Sequence, residues 1–535
     1  MTSPKLQQFL QSSVPHRYLD ALLPLILGGL ALVSLTLLKS RRGVKATRLR
    51  GPDNRSFLFG LYQILNETED PGLVYESWAA EYGPAFRVSG GFGSSRIVIC
   101  DPRANAHFYS KETFGYVQTN LSRTFIKNLF GRGLLWAEGE SHRRQRKALS
   151  PAFSNAAIRK LTPVFYDAAY KMKVKWDSAF DASTEEISID VQACLDSVGI
   201  AGFGHDFRAL EGKDSPVVDV FESFSSEDTS WISRFVFLMG PVLPVLQNLP
   251  TGQNRTLKRL RETMGEIADE LLARNRKEKE GKSMVEEKSI IGLLIKAETS
   301  KSSLGMSQEE ILAQWALIEL SRKPEKQRRL RDELSHYIND DPTFDQLSTS
   351  LPYLDSVVQE ILRLHPPVSE TTRIAAEDDI MPFTAPVVTS TGEQISSLII
   401  KKGTTITSPI RYMNRSETFW GPNAREFEPE RWLSPDGYLN AKEIQGHRHI
   451  LTFSDGPRTC LGRSFALAEF KARFDLNYLP RRRIKSIDGI LIRNYTFELP
   501  NGPDTQIVRH PSILPRPKVA GEIGAKVPLK VRRVE

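Results

Sequence analysis

Ten residues near the C-terminal end, FSDGPRTCLG at 453–462, carry the strongest chemical signal in the sequence. They place one cysteine, Cys460, between Gly456 and Gly462, and the helical run RSFALAEFKA follows at once. A thiolate is favoured at a helix N-terminus, because the helix dipole and the free N–H groups stabilise its negative charge. Metal ligation and nucleophilic attack both require a thiolate, so this stretch alone is compatible with either. Arg458, two residues before the cysteine, adds a fixed positive charge that suits a carboxylate.

The complete pattern, F-x-x-G-x-R-x-C-x-G, resembles the cysteine loop of the heme-thiolate monooxygenases called cytochrome P-450. The resemblance implies that Cys460 is the axial ligand of the iron of heme b (iron protoporphyrin IX), where a thiolate donates electron density and favours O–O cleavage. It also implies that Phe453, Gly456, Arg458 and Gly462 contact this cofactor. The other interpretation is a structural Cys460 without heme, which heme retention by the purified protein would exclude.

Two patterns upstream of the loop support the same family. In EILRLHPPV, Glu360 and Arg363 lie one helical turn apart, a spacing that by itself is more typical of an exposed ion pair worth a few tenths of a kcal/mol. In FEPERWL, Arg431 belongs to a P-E-R-W element. The resemblance implies that these three residues form a Glu–Arg–Arg network behind the heme, in which loss of one partner leaves a partly buried charge unpaired.

Three more residues are implied as contacts of the heme propionates. In EGESHRRQRKALSPAF the family usually has a Trp four residues before an Arg; here His142 holds the Trp position and Arg146 keeps its place. Arg373, in ETTRIAAEDD, resembles a further propionate contact on a short strand. Together with Arg458, the resemblance implies three guanidinium groups and one imidazole around the propionates.

The hydrophobic pattern predicts the elements that must position these residues. Alternating β-branched residues in GPAFRVSGGFGSSRIVICDP predict a strand, a turn and a strand. Apolar residues three or four apart among charges predict helices in four runs, at 140–154, 160–180, 254–280 and 324–338. The sequence therefore predicts a mainly α protein with minor sheet. The resemblance implies the cytochrome P-450 fold, a helical heme domain with small β-sheets, preceded by one N-terminal transmembrane helix.

Composition and charge exclude several classes of protein. The 535 residues include three cysteines, Cys100, Cys194 and Cys460, with no C-x-x-C pair, which argues against a disulfide framework or a zinc ribbon and favours a reduced, cytosol-facing protein. The formal net charge is +8, but no nucleic-acid-binding motif accompanies it, so we expect no nucleic-acid partner. The excess positive charge suits membrane lipid beside the anchor and an acidic redox partner.

A hydrophobic run near the N-terminus predicts a membrane anchor. Residues 21–38 are 18 uncharged residues, about the minimum for a helix that crosses a bilayer. A cleaved signal peptide is the alternative, but no A-x-A-like site follows. Lys and Arg residues between 39 and 50 outnumber those before the run, so the positive-inside rule places the rest of the chain in the cytoplasm. The predicted organisation is a short non-cytoplasmic tail (1–17), a transmembrane anchor (18–38), a basic linker (39–55) and a heme-thiolate monooxygenase domain (56–535).

A second apolar segment, Phe235–Leu246, is too short to cross a bilayer and contains one glycine and two prolines. Buried core and a patch that dips into the membrane both fit this segment. The resemblance to microsomal, fungal-type members assigns the protein to the endoplasmic-reticulum membrane, with a single membrane pass.

The sequence departs from the family at the helix that crosses the distal face of the heme. There the family carries A/G-G-x-D/E-T, whose small residues make room for O2 and whose acid and threonine relay protons. Here Gln314 passes directly to Trp315, so about 17 residues, or five helical turns, are missing at 314/315. The helix that remains, 307–321, is expected to be about 22 Å long. No other segment supplies the motif, so no residue is assigned a catalytic role.

A second departure follows the cysteine helix, where residues at about 473–489 form an apparent insertion with Pro480 and three consecutive arginines. A genuine surface loop is one interpretation. We favour translated non-coding sequence here and an omitted coding segment at 314/315, two errors of one kind in the gene model. Transcripts that match the written chain at both junctions would contradict this hypothesis.

The implied reaction inserts one oxygen atom of O2 into an apolar small-molecule substrate, with electrons from NADPH through the flavoprotein NADPH–cytochrome P-450 reductase. Fatty acids, terpenoids, polyketides and xenobiotic aromatics all remain open as substrates, because fold does not define substrate. The alternative is a heme-binding but catalytically impaired chain, a pseudoenzyme or the product of an incorrectly spliced gene model. Turnover in the presence of the reductase separates the two.

Overall fold

The computed structural model describes residues 47–181, 187–190, 308–474 and 495–534, with short internal gaps, together with position 492 and isolated positions between 255 and 269. Several predicted features lie outside these residues: the anchor at 18–38, the apolar segment at 235–246, Cys194, nearly all of the helical run at 254–280 and most of the insertion at 473–489. Among the described residues, no helix combines the length and the apolar character that a bilayer crossing requires.

Helices dominate the described part of the chain. They are Pro71–Tyr82 (α1), Pro102–Ser110 (α2), Asn120–Phe130 (α3), Gly139–Leu149 (α4), Asn155–Asp181 (α5), Gln308–Arg322 (α6), Pro324–Leu334 (α7), Phe344–Thr349 (α8), Pro352–Leu364 (α9), Ile410–Arg415 (α10), Glu417–Trp420 (α11) and Arg463–Phe474 (α12). The helices predicted at 140–154, 160–180 and 324–338 are confirmed as α4, α5 and α7. The mainly α prediction is confirmed as well.

The strands are short and form small sheets. They are Ala85–Ser89 (β1), Ser95–Ile99 (β2), Tyr116–Gln118 (β3), Ile187–Asp190 (β4), Thr371–Ala375 (β5), Asp379–Val388 (β6), Gln394–Ile400 (β7), Thr405–Ser408 (β8), Tyr495–Glu498 (β9), Ile507–His510 (β10), Arg516–Val519 (β11) and Pro528–Arg533 (β12). The predicted strand–turn–strand is confirmed, since β1 and β2 pair antiparallel across a 3₁₀ turn at Gly91–Gly93.

The largest sheet brings strands that are far apart in the chain to the same place. Its strand order is β1-β2-β8-β5-β3, with β2 and β8 parallel and the other pairs antiparallel. Arg373 on β5 is opposite Gln118 on β3 and opposite Ile406 on β8. The register of this sheet therefore fixes the position of Arg373 relative to β3 and β8.

Helices α6, α9 and α12 pack against one another in the core. Every residue from 312 to 320 in α6 is buried, as expected of a helix surrounded by protein. Helix α9 begins at Pro352, and its first N–H groups are capped from α7, where Glu333 accepts from Tyr353 at 2.7 Å and from Leu354 at 2.8 Å. This cap fixes the start of the helix that carries Glu360 and Arg363.

Candidate functional site

The cysteine loop rests against helix α2. Residues Gly456–Arg458 form a 3₁₀ turn, and Cys460 lies between this turn and α12, as the sequence predicts. The N–H of Cys460 donates to the carbonyl of Phe453 at 2.8 Å, and Phe453 is buried. Gly456 has φ +63°, and a Cβ on it would lie 2.2 Å from the carbonyl oxygen of Tyr109 on α2. The close backbone approach at Gly456 is therefore to this helix.

Cys460 is the more accessible of the two cysteines that the structure describes. It is only partly buried and is in no disulfide bond. A Cβ on Gly462 would lie 3.9 Å from Sγ of Cys460 and 3.9 Å from the ring of Phe153. Cys100 lies in the core, where burial raises the pKa of its thiol well above the ordinary value, with Asp101 as a smaller cause. Cys100 therefore stays a neutral thiol, whereas Cys460 is accessible to a ligand.

Helix α4 presents Arg146 and His142, one turn apart, towards the cysteine loop. Nη2 of Arg146 donates to the carbonyl of Thr459 at 2.6 Å. Burial lowers the pKa of Arg146, and the nearby charge of Cys460 acts in the opposite direction. Burial, followed by the charges of Arg458 and Arg146, lowers the pKa of His142 to about 4. Near neutral pH, His142 is therefore an uncharged ring with one N–H to donate.

Arg458 reaches from the cysteine loop to the segment that leads into α4. Its Nη2 donates to the carbonyl of Ala137 and to Oε2 of Glu138, both at 2.5 Å. The other oxygen of Glu138 accepts from the N–H of Gln118 at 2.9 Å. Nε of Arg458 is buried and makes no hydrogen bond in the described structure. This arginine is thus held at one end and keeps donors available.

Arg373 lies on β5 and pairs with a buried carboxylate. Its Nε lies 2.8 Å from Oε1 of Glu112, and its Nη1 donates to the carbonyl of Thr372 at 3.0 Å. Glu112 is fully buried. Within the described part of the chain, Nη2 of Arg373 makes no hydrogen bond. Like Arg458, Arg373 is anchored at one end and open at the other.

These side chains fit a planar metal cofactor with carboxylate arms. The residues that the structure describes contain no group of three or more His, Cys, Asp or Glu side chains that could hold a bare metal ion. A porphyrin iron takes an axial protein ligand, which the thiolate of Cys460 can supply. The open donors of Arg458 and Arg373 and the neutral N–H of His142 suit propionates. Heme b has both features, an iron that a thiolate can bind and two propionates that arginines can neutralise.

The predicted Glu–Arg–Arg network is assembled in the core. Glu360 and Arg363 are both 0% exposed, with contacts of 2.7 and 2.9 Å between guanidinium and carboxylate. Nε of Arg431 lies 3.5 Å from Oε1 of Glu360, and Trp432 donates to Oε2 at 2.9 Å. Burial opposes ionisation, but Arg363 and then Arg431 bring the pKa of Glu360 below its ordinary value. The three residues therefore form one charged, hydrogen-bonded unit.

Helix α6 passes through the 314/315 junction without interruption. Trp315 is buried and stacks on the ring of His365, with centroids 4.1 Å apart, and His365 Nε2 lies 2.9 Å from Glu319. Residues of α6 read QEEILAQWALIELSR, with neither a glycine nor a threonine. Within the described residues this helix runs over Gln308–Arg322, close to the predicted 307–321, and its sequence contains no acid–threonine pair.

Sequence reasoning missed two carboxylates of this site, Glu112 and Glu138. Glu138 lies four residues before His142, and an acid this close to predicted propionate contacts is a usable signal. Glu112 offers no such signal, because its partner Arg373 is distant in the sequence and only the β5–β3 pairing brings them together.

Comparisons with known proteins indicate the same family as the motif of the cysteine loop. Residues 49–476 match the family model described as cytochrome P-450. The cytochrome P-450 monooxygenase claP of Ampulloclitocybe clavipes is 60% identical over 521 aligned positions, which cover 92% of this chain and 94% of that protein. Monooxygenase claQ of the same fungus is 58% identical with the same coverage. Cytochrome P-450 monooxygenase 205 of Postia placenta is 31% identical and covers 90% of this chain and 92% of its own.

Proposed function

Since the chain belongs to the cytochrome P-450 family and is an enzyme of that family, we propose that Cys460 is the axial heme ligand of a monooxygenase acting on an apolar small molecule. Proteins of this family bind heme b through a cysteine thiolate and use O2, a small-molecule substrate and a redox partner. The observation that carries the proposal is the double link between the loop of Cys460 and α4: Arg146 on α4 donates to Thr459 of the loop, and Arg458 of the loop donates to Glu138 ahead of α4.

Each residue of the site has a definite task in this proposal. When bound, heme supplies the iron at which O2 is activated. Cys460 would donate electron density from its thiolate to the iron, while Phe453, Gly456 and Gly462 shape the loop around the thiolate. Arg146, Arg373 and Arg458 neutralise the propionates, and His142 donates a neutral hydrogen bond to them. Glu360, Arg363 and Arg431 stabilise the core through their buried network.

Replacing the thiol tests the proposal directly. We expect Cys460→Ser to lose the absorption band typical of a thiolate-ligated ferrous heme with carbon monoxide, because a serine hydroxyl does not supply a thiolate. The matched control is Cys100→Ala, which removes the buried thiol of the core and leaves the band in place. An unchanged band in Cys460→Ser would contradict the assignment.

The redox partner we propose is NADPH–cytochrome P-450 reductase. Arg143, Arg144 and Lys147 are exposed on the outer face of α4, the helix whose other face reaches the cysteine loop. A basic surface this close to the proposed iron site suits an acidic electron donor. Charge reversal at these three positions is expected to slow reduction of the iron by the reductase and to leave chemical reduction unaffected.

We propose that the protein is anchored in the endoplasmic-reticulum membrane by residues 18–38. Support comes from the apolar run and the basic linker and from the place where the linker meets the domain. Leu49 forms a β-bridge with Thr389 at the β6–β7 turn, so the linker is tied to the domain within about 11 residues of the run. Extraction by detergent but not by high salt tests the anchor.

A second candidate, a catalytically impaired heme protein, is favoured by the 314/315 junction. The alignment with claP is 521 positions long, which is more than the 92% of this chain's 535 residues that it covers. Some residues of claP therefore have no counterpart in this chain. This supports an omitted segment without locating it. Sequencing the message across the codons of Gln314 and Trp315 decides: an additional segment with the Gly-x-acid-Thr motif restores a complete monooxygenase, and a direct join favours the impaired protein.

A further inference from the structure

Glu112 is a buried carboxylate that the proposed reaction does not yet use. It follows α2 and lies just before β3, and it is 0% exposed. Neither of its oxygens accepts an aligned hydrogen bond in the described structure. Its contact is the guanidinium of Arg373, with Nε 2.8 Å from Oε1. Burying a carboxylate that has only one ion pair costs free energy of desolvation, which a single contact offsets only in part. A functional role for the charge would explain why it is there.

The geometry of Arg373 divides its donors between two directions. Nε faces Glu112, and Nη1 is occupied by the carbonyl of Thr372. Nη2 is the terminal nitrogen that makes no hydrogen bond within the described residues. Arg373 therefore holds Glu112 through Nε and leaves Nη2 available for the propionate contact proposed above.

The charged groups around Glu112 come from three other elements. Arg373 lies on β5, Arg458 on the cysteine loop and Glu138 ahead of α4. Burial raises the pKa of Glu112, Arg373 and Arg458 lower it, and Glu138 adds to the increase. Lys111, next to Glu112 in the chain, is occupied elsewhere, by Asp379 at 2.5 Å. Glu112 thus shares its site with two arginines and one further carboxylate.

We propose that Glu112 is ionised and, paired with Arg373 behind the propionate, lowers the Fe(III)/Fe(II) reduction potential of the heme. Ferric heme carries one more positive charge than ferrous heme, so a nearby buried negative charge stabilises the ferric form. One electron, from the redox partner or from dithionite, reduces the iron, and Glu112 exchanges neither an electron nor a proton in that step. This inference rests on the proposed propionate contact of Arg373.

The test is a spectroelectrochemical titration of the heme-loaded full chain. Glu112→Gln keeps the shape of the side chain and removes its charge, so the potential is expected to become more positive. The double variant Glu112→Gln/Arg373→Gln removes a neutral pair and is expected to return close to the wild-type potential. Glu140→Gln removes an exposed carboxylate on α4, where solvent screens the charge, and is expected to leave the potential unchanged.

The outcomes separate this inference from the proposed function. Faster heme loss to an acceptor protein in Arg373→Gln is the expected sign of a lost propionate contact, and an unchanged rate would overturn the role of Arg373. A faster rate in Arg373→Gln together with a wild-type potential in Glu112→Gln would overturn the role of Glu112 alone. If Glu112→Gln does not fold, the double variant, which removes one negative and one positive charge together, is compared with wild type, and a large shift of its potential contradicts the charge balance.

Discussion

At the scale of single residues, the Glu360–Arg363 pair is the most exacting feature of the core. Arg363 donates to Glu360 through Nε and Nη2 and to the carbonyls of Asn414 and Ala424 through Nη1. We predict that Glu360→Gln lowers the free energy of unfolding by about 3–5 kcal/mol, because it leaves a fully buried guanidinium without a counter-charge. Denaturant unfolding measures this change.

The control for this prediction is a pair with the same helical spacing on the surface. Glu140 and Arg143 lie 3.4 Å apart on α4, with side chains 61% and 76% exposed. Glu140→Gln is expected to change the free energy of unfolding by less than about 0.5 kcal/mol. Equal effects of the two substitutions would show that burial does not set the value of the inner pair.

Spacing in the sequence predicts residues that act through neighbours along the chain, and it fails for partners brought together by tertiary structure. A short pattern contains both members of the pairs Arg458–Cys460 and Glu360–Arg363, because the members are only two and three residues apart. Glu112 with Arg373 does not, because their contact depends on the register of β5 against β3. Family resemblance supplied Arg373, but no local pattern marks its carboxylate.

At the scale of elements, the cysteine loop depends on a close contact with α2. Gly456 has positive φ, and a Cβ there would lie 2.2 Å from the carbonyl oxygen of Tyr109, which no side chain can tolerate without backbone movement. We predict that Gly456→Ala displaces the loop and lowers the heme content of the purified protein, measured by absorbance per protein.

Gly403 provides the matched control for backbone strain. It also has positive φ, +88°, but nothing lies within 4 Å of an added Cβ. Gly403→Ala is expected to cost about 1–2 kcal/mol of unfolding free energy from the left-handed conformation alone, with heme content preserved. If both variants keep their heme, the contact with α2 is not what positions Cys460.

The sequence predicts the presence of helices with strong periodicity, but it does not predict which elements they pack against. The pattern of α4, α5 and α7 alternates charged and apolar faces, which identifies a helix packed on one side. In α6 the run from 312 to 320 is buried on all sides, so periodicity carries no information about direction there. The stacking of Trp315 on His365 follows from packing of α6 on α9, which the sequence does not encode locally.

At the scale of the whole molecule, histidines with little solvent exposure make stability depend on pH. Burial is the largest cause that lowers the pKa of His142, His365 and His447 to about 4, from an ordinary value of 6.5. Between these values the unfolded chain binds protons that the folded chain does not. Stability from these groups is therefore complete above about pH 6.5 and is lost progressively as the pH falls towards 4.

We predict that the free energy of unfolding falls between pH 7 and pH 5, with His365 alone contributing about 2 kcal/mol of the loss. Urea unfolding at each pH measures the slope, and His365→Gln, which cannot titrate, is expected to reduce it. Constant stability over this range would contradict the prediction.

Below pH 4 the loss of stability continues for a different reason. Ion pairs keep the pKa of Asp70 and Asp379 below the ordinary value despite burial, so these carboxylates resist protonation in the folded state only. Acid should therefore weaken the fold in two stages, with the histidines first and the paired carboxylates second.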